Sequence, residues 1–342
     1  MPDRRQLREV VRVLILCFFW YAISSTNNVI GKYVLTDFPF PMTVTMVQLL
    51  SITVYSVPVF RLMGIRNSFN TEISKSYYWK LVVPLAFGKF LSSVFSHISI
   101  WKVPVSFAHT VKASMPLFTV TLSRLLLGEK QTCQIYGSLI PIIVGIAIAT
   151  VTELSFDLLG MLSALMATCG FSLQNIFSKK VLRDTGVHHL RLLQILGQLA
   201  LIMFLPIWAL FDLRRIIQHP SVVSGDQPET ILIYLFLDGF LNWLQNVVAF
   251  SILHLVSPLT YAVANASKRI AVIAVSLVML RNPVTPANVF GMALAVTGVI
   301  YYNKAKYDAN LKNKKKAVLP LNVSFHGNGF GNGHVRSRLQ AL

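Results

Sequence analysis

The chain alternates long apolar runs with short polar or charged stretches, and the runs have the length that a lipid bilayer demands. A helix needs about 20 mostly apolar residues to cross about 30 Å of hydrocarbon. Runs of that kind, bounded by charge, Pro or Gly, cover Val10–Val34, Thr43–Met63, Leu81–Trp101, Val105–Leu127, Ile135–Thr152, Leu158–Val181, Leu190–Phe211, Ile231–Leu255, Pro258–Leu280 and Pro286–Tyr302. They predict an all-α membrane protein of ten transmembrane helices. The first run follows a short Arg-rich leader without a small-residue cleavage site, so it reads as a retained span rather than a signal peptide. Asp3, Glu9 and the shortness of that leader argue against an organelle transit peptide.

Composition agrees. A length of 342 residues would allow two or three soluble domains, but 54% hydrophobic and 13% charged residues exclude them, since soluble domains carry about 25% charge. Cys17, Cys133 and Cys169 stand in apolar stretches without metal or redox spacing, so a disulfide framework, a zinc site and a thioredoxin-type centre have no support. The adjacent His188 and His189 lack a third ligand and read as a solvated pair. No cofactor and no metal are expected.

The net charge of +18 is mostly sidedness. Arg4, Arg5, Arg8 and Arg12, then Arg61, Arg66, Lys75 and Lys80, then Lys130, Lys179, Lys180, Arg183 and Arg191 fall on the side of the N-terminus, as do the basic residues from Lys304 onward. The other side receives only Lys32, Lys102, Arg214, Arg215 and Arg281. By the positive-inside rule both termini are cytosolic, and the charge implies anionic headgroups rather than nucleic acid. From 305 to 342 the chain turns basic and then Gly/Asn-rich, which predicts a disordered tail. The acceptor-like triplet Asn322-Val-Ser324 in it should stay unglycosylated.

The second half of the chain echoes the first. Val105-Ser106 and Ala113-Ser114 recur as Val256-Ser257 and Ala266-Ser267, and Ser123, Leu127, Thr132 and Gly145 correspond to Ser276, Leu280, Thr285 and Gly298 at one offset. After a cytosolic N-terminus over 1–9, two five-helix repeats over 10–152 and 158–304 follow. An odd number of spans forces the second repeat to enter the membrane from the opposite face, giving an inverted repeat with its site near the midplane, an architecture of transporters.

Lys112 lies inside span four, and Lys268 and Arg269 inside span nine. At 1.5 Å per residue the two lysines reach about 10 and 15 Å depth from opposite faces, hence nearly one level. Each basic residue at that depth costs about 2.5 to 3.5 kcal/mol on insertion scales, so its persistence points to function. Asp238 is the only carboxylate well inside a span and cannot balance Lys112, Lys268, Arg269 and Lys89. A surplus of buried positive charge implies an anion, and the Arg fork with Lys point charges suits phosphate. Asp238 and Lys89, at equivalent heights in the repeats, are expected to pair and to gate the site. Pro116 leaves the Lys112 carbonyl without its helical partner, predicting a kink and a cavity beside Lys112. Gly137 with Gly145, and Gly291 with Ala295 and Gly298, form small faces for close helix contacts or a homodimer seam.

At these residues the sequence resembles the triose-phosphate translocator and nucleotide-sugar transporter branch of the drug/metabolite transporter superfamily, and within it solute carrier family 35, subfamily E. The segments that carry the likeness are Val105-Ser-Phe-Ala-His-Thr-Val-Lys-Ala-Ser-Met-Pro116 and Ser257-Pro-Leu-Thr-Tyr-Ala-Val-Ala-Asn-Ala-Ser-Lys-Arg269. The resemblance implies exchange of phosphate-bearing organic anions across an organelle membrane, with Lys112, Lys268 and Arg269 as phosphate ligands and His109 in the signature. It also implies a changed selectivity wall. Ser93 and Ser96 stand where phosphate translocators carry a His and a Thr, and Gln245 stands where they carry a Tyr. Nucleotide sugars, nucleotides and sugar phosphates remain open as substrate and counter-substrate. A secretory-pathway membrane is expected, Golgi ahead of endoplasmic reticulum. The rivals are a transporter-like protein with a trafficking or scaffold role and a membrane-embedded transferase, for which the carboxylates are too scattered.

Overall fold

The computed structural model describes residues 4–62, 64, 74–217, 228–256 and 258–318. The elements are α1 (Arg4–Asp37), α2 (Pro41–Leu62), α3 (Lys75–Lys102, opening through a π turn at Tyr78–Val82), α4 (Val105–Lys112), α5 (Met115–Leu127) and α6 (Cys133–Val151). They continue with α7 (Leu158–Thr185), α8 (His189–Trp208, extended by a π turn and Arg214–Ile217), α9 (Pro228–Leu255), α10 (Pro258–Leu280) and α11 (Pro286–Val318). Among the described residues all regular structure is helical, and 7 helices are long and apolar enough to cross a membrane: α1, α2, α3, α6, α7, α8 and α9. The remaining apolar runs fold as α4 with α5, as α10 and as α11. Large apolar side chains cover the outside, with Leu210 78% and Val278 74% exposed, as expected of a surface wetted by lipid.

Local sequence explains the breaks. The run predicted as span four is interrupted between Lys112 and Met115, where Ala113 and Ser114 make a tight turn whose amides reach back to Thr110 and Val111. Pro116 opens the next helix, at the position where a missing N–H costs nothing. The kink expected at Pro116 is therefore a full break that ends α4 at Lys112. At the start of α7, the Asp157 side chain accepts from the Gly160 amide at 2.7 Å, an N-cap. α11 corrects the tail boundary, because helix continues past residue 305 to Val318. Ala305 and Ala309, one turn apart, lie buried in one cluster with Tyr302 and Ile135, so the small face of α11 still has a partner beyond the apolar run. Residues 319–342, with Asn322 and Ser324, lie outside the described residues, as do Arg66 and Ser257.

The main packing partners are α6 with α11, α3 with α7, α1 with α9, α2 with α8 and α9, and α10 with α1 and α4. α6 and α11 cross so closely that a Cβ on Gly145 would collide with the backbone of Ala295 and Gly291. The small faces predicted on these two helices thus meet each other within one chain. On the face opposite the N-terminus, the ends of α1 and α3 and the starts of α2, α4 and α9 join in one apolar cluster around Leu35, Phe38, Val44, Val103 and Phe107. On the N-terminal face two clusters stand apart: Val82, Leu85, Val181 and Leu192 between α3, α7 and α8, and Trp20, Ile252 and Ala264 between α1, α9 and α10.

Candidate functional site

Where α1, α2, α3, α4, α9 and α10 converge, they enclose a cavity of about 310 Å³. Every residue expected from the sequence to bind substrate or gate the site lines it: Lys112, Lys268, Arg269, Ser93, Ser96, Gln245, His109, Lys89 and Asp238. The break after α4 explains one side of this convergence, because it ends the helix at Lys112 and frees the side chain to cross toward α3. There Lys112 Nζ donates to Ser96 Oγ at 2.8 Å.

Three cations form one pole. Lys112 lies within electrostatic range of both Lys268 and Arg269, and Lys268 within range of Arg269. Lys268 Nζ sits over the Trp20 ring, 4.8 Å from its centroid, and Trp20 stacks on Tyr261 at 5.5 Å. The aromatic face offers a cation some compensation without neutralising it. Among the described residues Arg269 has only a soft neighbour, the Met115 sulfur at 3.8 Å. Among the described residues none of these cations is ion-paired, since the one salt bridge joins Arg183 to Asp184. His109 completes the pole from α4, sharing a hydrogen bond of 2.8 Å with Asn28 Oδ1, which holds its ring beside Lys112.

A polar wall faces this pole. Asn28 is tethered to the Ser24 carbonyl at 2.8 Å, and Asn246 donates to the Asn242 carbonyl at 2.8 Å. Thr45 Oγ1 and His97 Nδ1 are 2.8 Å apart. Gln48 Nε2 donates to Asp238 Oδ2 at 2.7 Å. Two buried acceptors, Asn27 Oδ1 and Gln245 Oε1, have no hydrogen-bond partner among the described residues.

The expected pair of Lys89 with Asp238 does not form. Both line the cavity, but Asp238 is bound by Gln48, because α2 packs on α9 and places that amide against the carboxyl. The residues that sequence reasoning missed, Trp20, Asn27, Asn28, Gln48, His97, Asn242 and Asn246, had a signal: each is a polar or polar-tipped side chain inside an apolar run. Asn242, Gln245 and Asn246 even share one helical face, at i, i+3 and i+4.

The sequence model of the Triose-phosphate Transporter family matches residues 11–303. Phosphoenolpyruvate/phosphate translocator 3 of Oryza sativa subsp. japonica, named as chloroplastic, is 34% identical over 89% of this chain and 77% of its own. A triose phosphate/phosphate translocator of Brassica oleracea var. botrytis is 33% identical over 92% of this chain and 77% of its own. Glucose-6-phosphate/phosphate translocator 1 of Arabidopsis thaliana is 32% identical over 84% of this chain and 73% of its own. One crystal structure superimposes with a TM-score of 0.51 at 15% identity, covering 88% of this chain and 99% of that one, a likeness of fold alone.

Proposed function

Because the chain belongs to the Triose-phosphate Transporter family, we propose that it is a secondary antiporter exchanging phosphate-bearing organic anions across a membrane, with phosphate or a second such anion as counter-substrate. The observation that carries this reading is the unpaired cationic pole. Lys112, Lys268 and Arg269 line one cavity with Lys89, and among the described residues a single carboxyl, Asp238, accompanies them. Bringing like charges together away from water is unfavourable until an anion enters, so the site is built for one. The Arg269 fork grips two phosphate oxygens, and Lys112 and Lys268 act as point charges beside it. His109 and Ser96 position the cationic pole, while Ser93, Gln245 and the asparagines meet the rest of the substrate. Exchange follows from the same electrostatics, because a cavity emptied of anion is the unfavourable state for crossing the membrane.

The packing pattern supports ten spans in two inverted repeats. Counting α4 with α5 as one span, a shift by five spans carries the pair α1 and α9 onto α7 and α3, the pair α2 and α9 onto α8 and α3, and the pair α1 and α10 onto α7 and α4. Each of these pairs packs. The apolar cluster on the face opposite the N-terminus and the two separated clusters on the N-terminal face are related by the same shift. That asymmetry supports a cavity closed on one side and reached from the N-terminal side, one state of an alternating-access cycle. Lys/Arg sidedness favours cytosolic termini. The secretory placement expected from the sequence draws no support from the relatives, which are named chloroplastic.

The test is exchange by purified protein in liposomes preloaded with phosphate and offered labelled phosphate, sugar phosphates, nucleotides and nucleotide sugars. Uptake that requires an internal anion supports antiport. Uptake into empty vesicles at the same rate, or of none of these anions, refutes it.

A further inference from the structure

Resting on the reading of the cavity as a phosphate site, we infer that Asp238 selects the end of the substrate remote from the phosphate, and that it selects a neutral, hydroxyl-bearing sugar phosphate over a phosphate compound carrying a carboxylate. The cavity has two chemically opposite poles. Lys112, Lys268 and Arg269 stand on α4 and α10 and Lys89 on α3, whereas Asp238 stands on α9 with no cation within 4.0 Å of it among the described residues. Gln48 Nε2 donates a hydrogen bond to Oδ2, so that oxygen is held as an acceptor. Its Oδ1 turns toward α1 at Gly31, where an added Cβ would come within 3.3 Å, so glycine keeps that oxygen uncrowded. Two further acceptors of the cavity, Asn27 Oδ1 and Gln245 Oε1, have no donor among the described residues.

Three acceptors in want of donors fit a partner that brings O–H groups. Sugar hydroxyls are such donors. A carboxylate brings two more acceptors and a negative charge toward Asp238, leaving every one of these groups unsatisfied. Size points the same way, since about 310 Å³ lies at the small end of ligand cavities and suits one phosphorylated sugar better than a nucleotide sugar.

Proteoliposomes preloaded with phosphate test this with three external probes: phosphate, glucose 6-phosphate and phosphoenolpyruvate. Rates are normalised to phosphate/phosphate exchange in the same vesicles. Glucose 6-phosphate is expected to exceed phosphoenolpyruvate by about tenfold or more, as for sites built around hydrogen bonds to a substrate's hydroxyls. Asp238→Asn should cut that preference severalfold. Robust phosphate exchange with phosphoenolpyruvate preferred in the unaltered protein overturns this inference and leaves the antiporter reading standing. Absence of phosphate exchange overturns both. Because the unaltered protein already decides, a variant that fails to fold does not stall the test.

Lys32 supports a second inference, independent of the cavity. Its Nζ donates to the carbonyls of Ile100, Trp101 and Val103 at 2.8, 3.0 and 3.1 Å, capping the C-terminal end of α3 on the closed face. Those carbonyls have no helical partner, and a cation there is doubly favoured. The surrounding segment of α1, Asn28-Val-Ile-Gly-Lys32-Tyr-Val-Leu-Thr-Asp37, recurs in α7 as Asn175-Ile-Phe-Ser-Lys179-Lys-Val-Leu-Arg-Asp184. Asn, Lys, Val, Leu and Asp keep their spacing, so Lys179 is the counterpart of Lys32. α1 packs on α3, but no comparable packing joins α7 to α9, and Lys179 makes no capping bond among the described residues. We propose that Lys32 and Lys179 are alternating latches. When the N-terminal face closes, Lys179 caps the end of α9 at the carbonyls of Leu253, His254 and Val256, which match Ile100, Trp101 and Val103 because the Val256 amide bonds to Ile252 as the Val103 amide bonds to Ser99, and Lys32 lets go of α3.

Spin-label distances in cysteine-substituted protein, between positions 37 and 102 on one face and 180 and 255 on the other, read both latches. Lys179→Met should abolish the population in which 180 and 255 approach, while 37 and 102 stay close. Lys32→Met should do the opposite. Lys179→Met with both distributions unchanged overturns the proposal.

Discussion

Replacing Lys268 by Met keeps the length of the side chain and its place over Trp20 while removing its charge. Two effects follow, and they have opposite signs. In the empty protein, Lys268 is repelled by Arg269 and shares the pole with Lys112, with no acid in ion-pair contact among the described residues. Removing one of three like charges relieves the pole, so the unliganded protein should not melt lower despite the lost contact with Trp20, worth about 0.5 to 2 kcal/mol. With phosphate bound, a charge-assisted contact of about 1.5 to 3 kcal/mol disappears, a weakening of about 12- to 160-fold. At a phosphate concentration of about 100 Kd for the unaltered protein, ligand stabilisation is about 2.7 kcal/mol, and it should fall to between about 0.3 and 1.3 kcal/mol in Lys268→Met. Thermal unfolding of the detergent-purified protein, with and without phosphate, measures both. A variant that melts several degrees lower without phosphate yet keeps the full phosphate-induced shift would refute the anion-site reasoning and make Lys268 a structural residue.

Arg269→Lys keeps the charge but loses the planar fork, and should reduce exchange by about tenfold or more, the value of one charged hydrogen bond; unchanged exchange rates would show that charge alone suffices. Gly145→Leu should lower the melting temperature, since its side chain meets the backbone of Ala295 and Gly291 and overpacking costs about 1 to 3 kcal/mol, whereas Gly137→Ala, which meets nothing within 4 Å, should be neutral. Tags fused before residue 4 and after residue 342 should be digested together by protease in selectively permeabilised cells; digestion of one tag alone would break the even count of spans.

Much of the site was legible along the chain because lipid makes polarity conspicuous. A Lys, Asp, Asn or Gln inside an apolar run is unfavourable enough to stand out without any knowledge of the fold, and the nine residues named on that ground and on family resemblance all reach one cavity. The break at Lys112 was foreshadowed by Pro116, since a proline ring cannot sit in a helix interior without consequence. The helical runs were likewise set by bilayer thickness, which constrains length locally.

Pairing was a matter for the tertiary structure alone. Asp238 had a plausible partner in Lys89 by height in the membrane, but height says nothing about rotation about the helix axis. Only the packing of α2 on α9 brings Gln48, 190 residues away in sequence, to the carboxyl. The same holds for Trp20 beneath Lys268 and for Lys32 at the end of α3, contacts between distant segments that no local pattern announces. The extension of α11 to Val318 also came from outside its own composition, because Ala305 and Ala309 are helical where another helix covers them. The sequence determined which groups must be kept from lipid, since that is a property of each residue. How they satisfy one another was decided by the crossings of helices, which are properties of pairs.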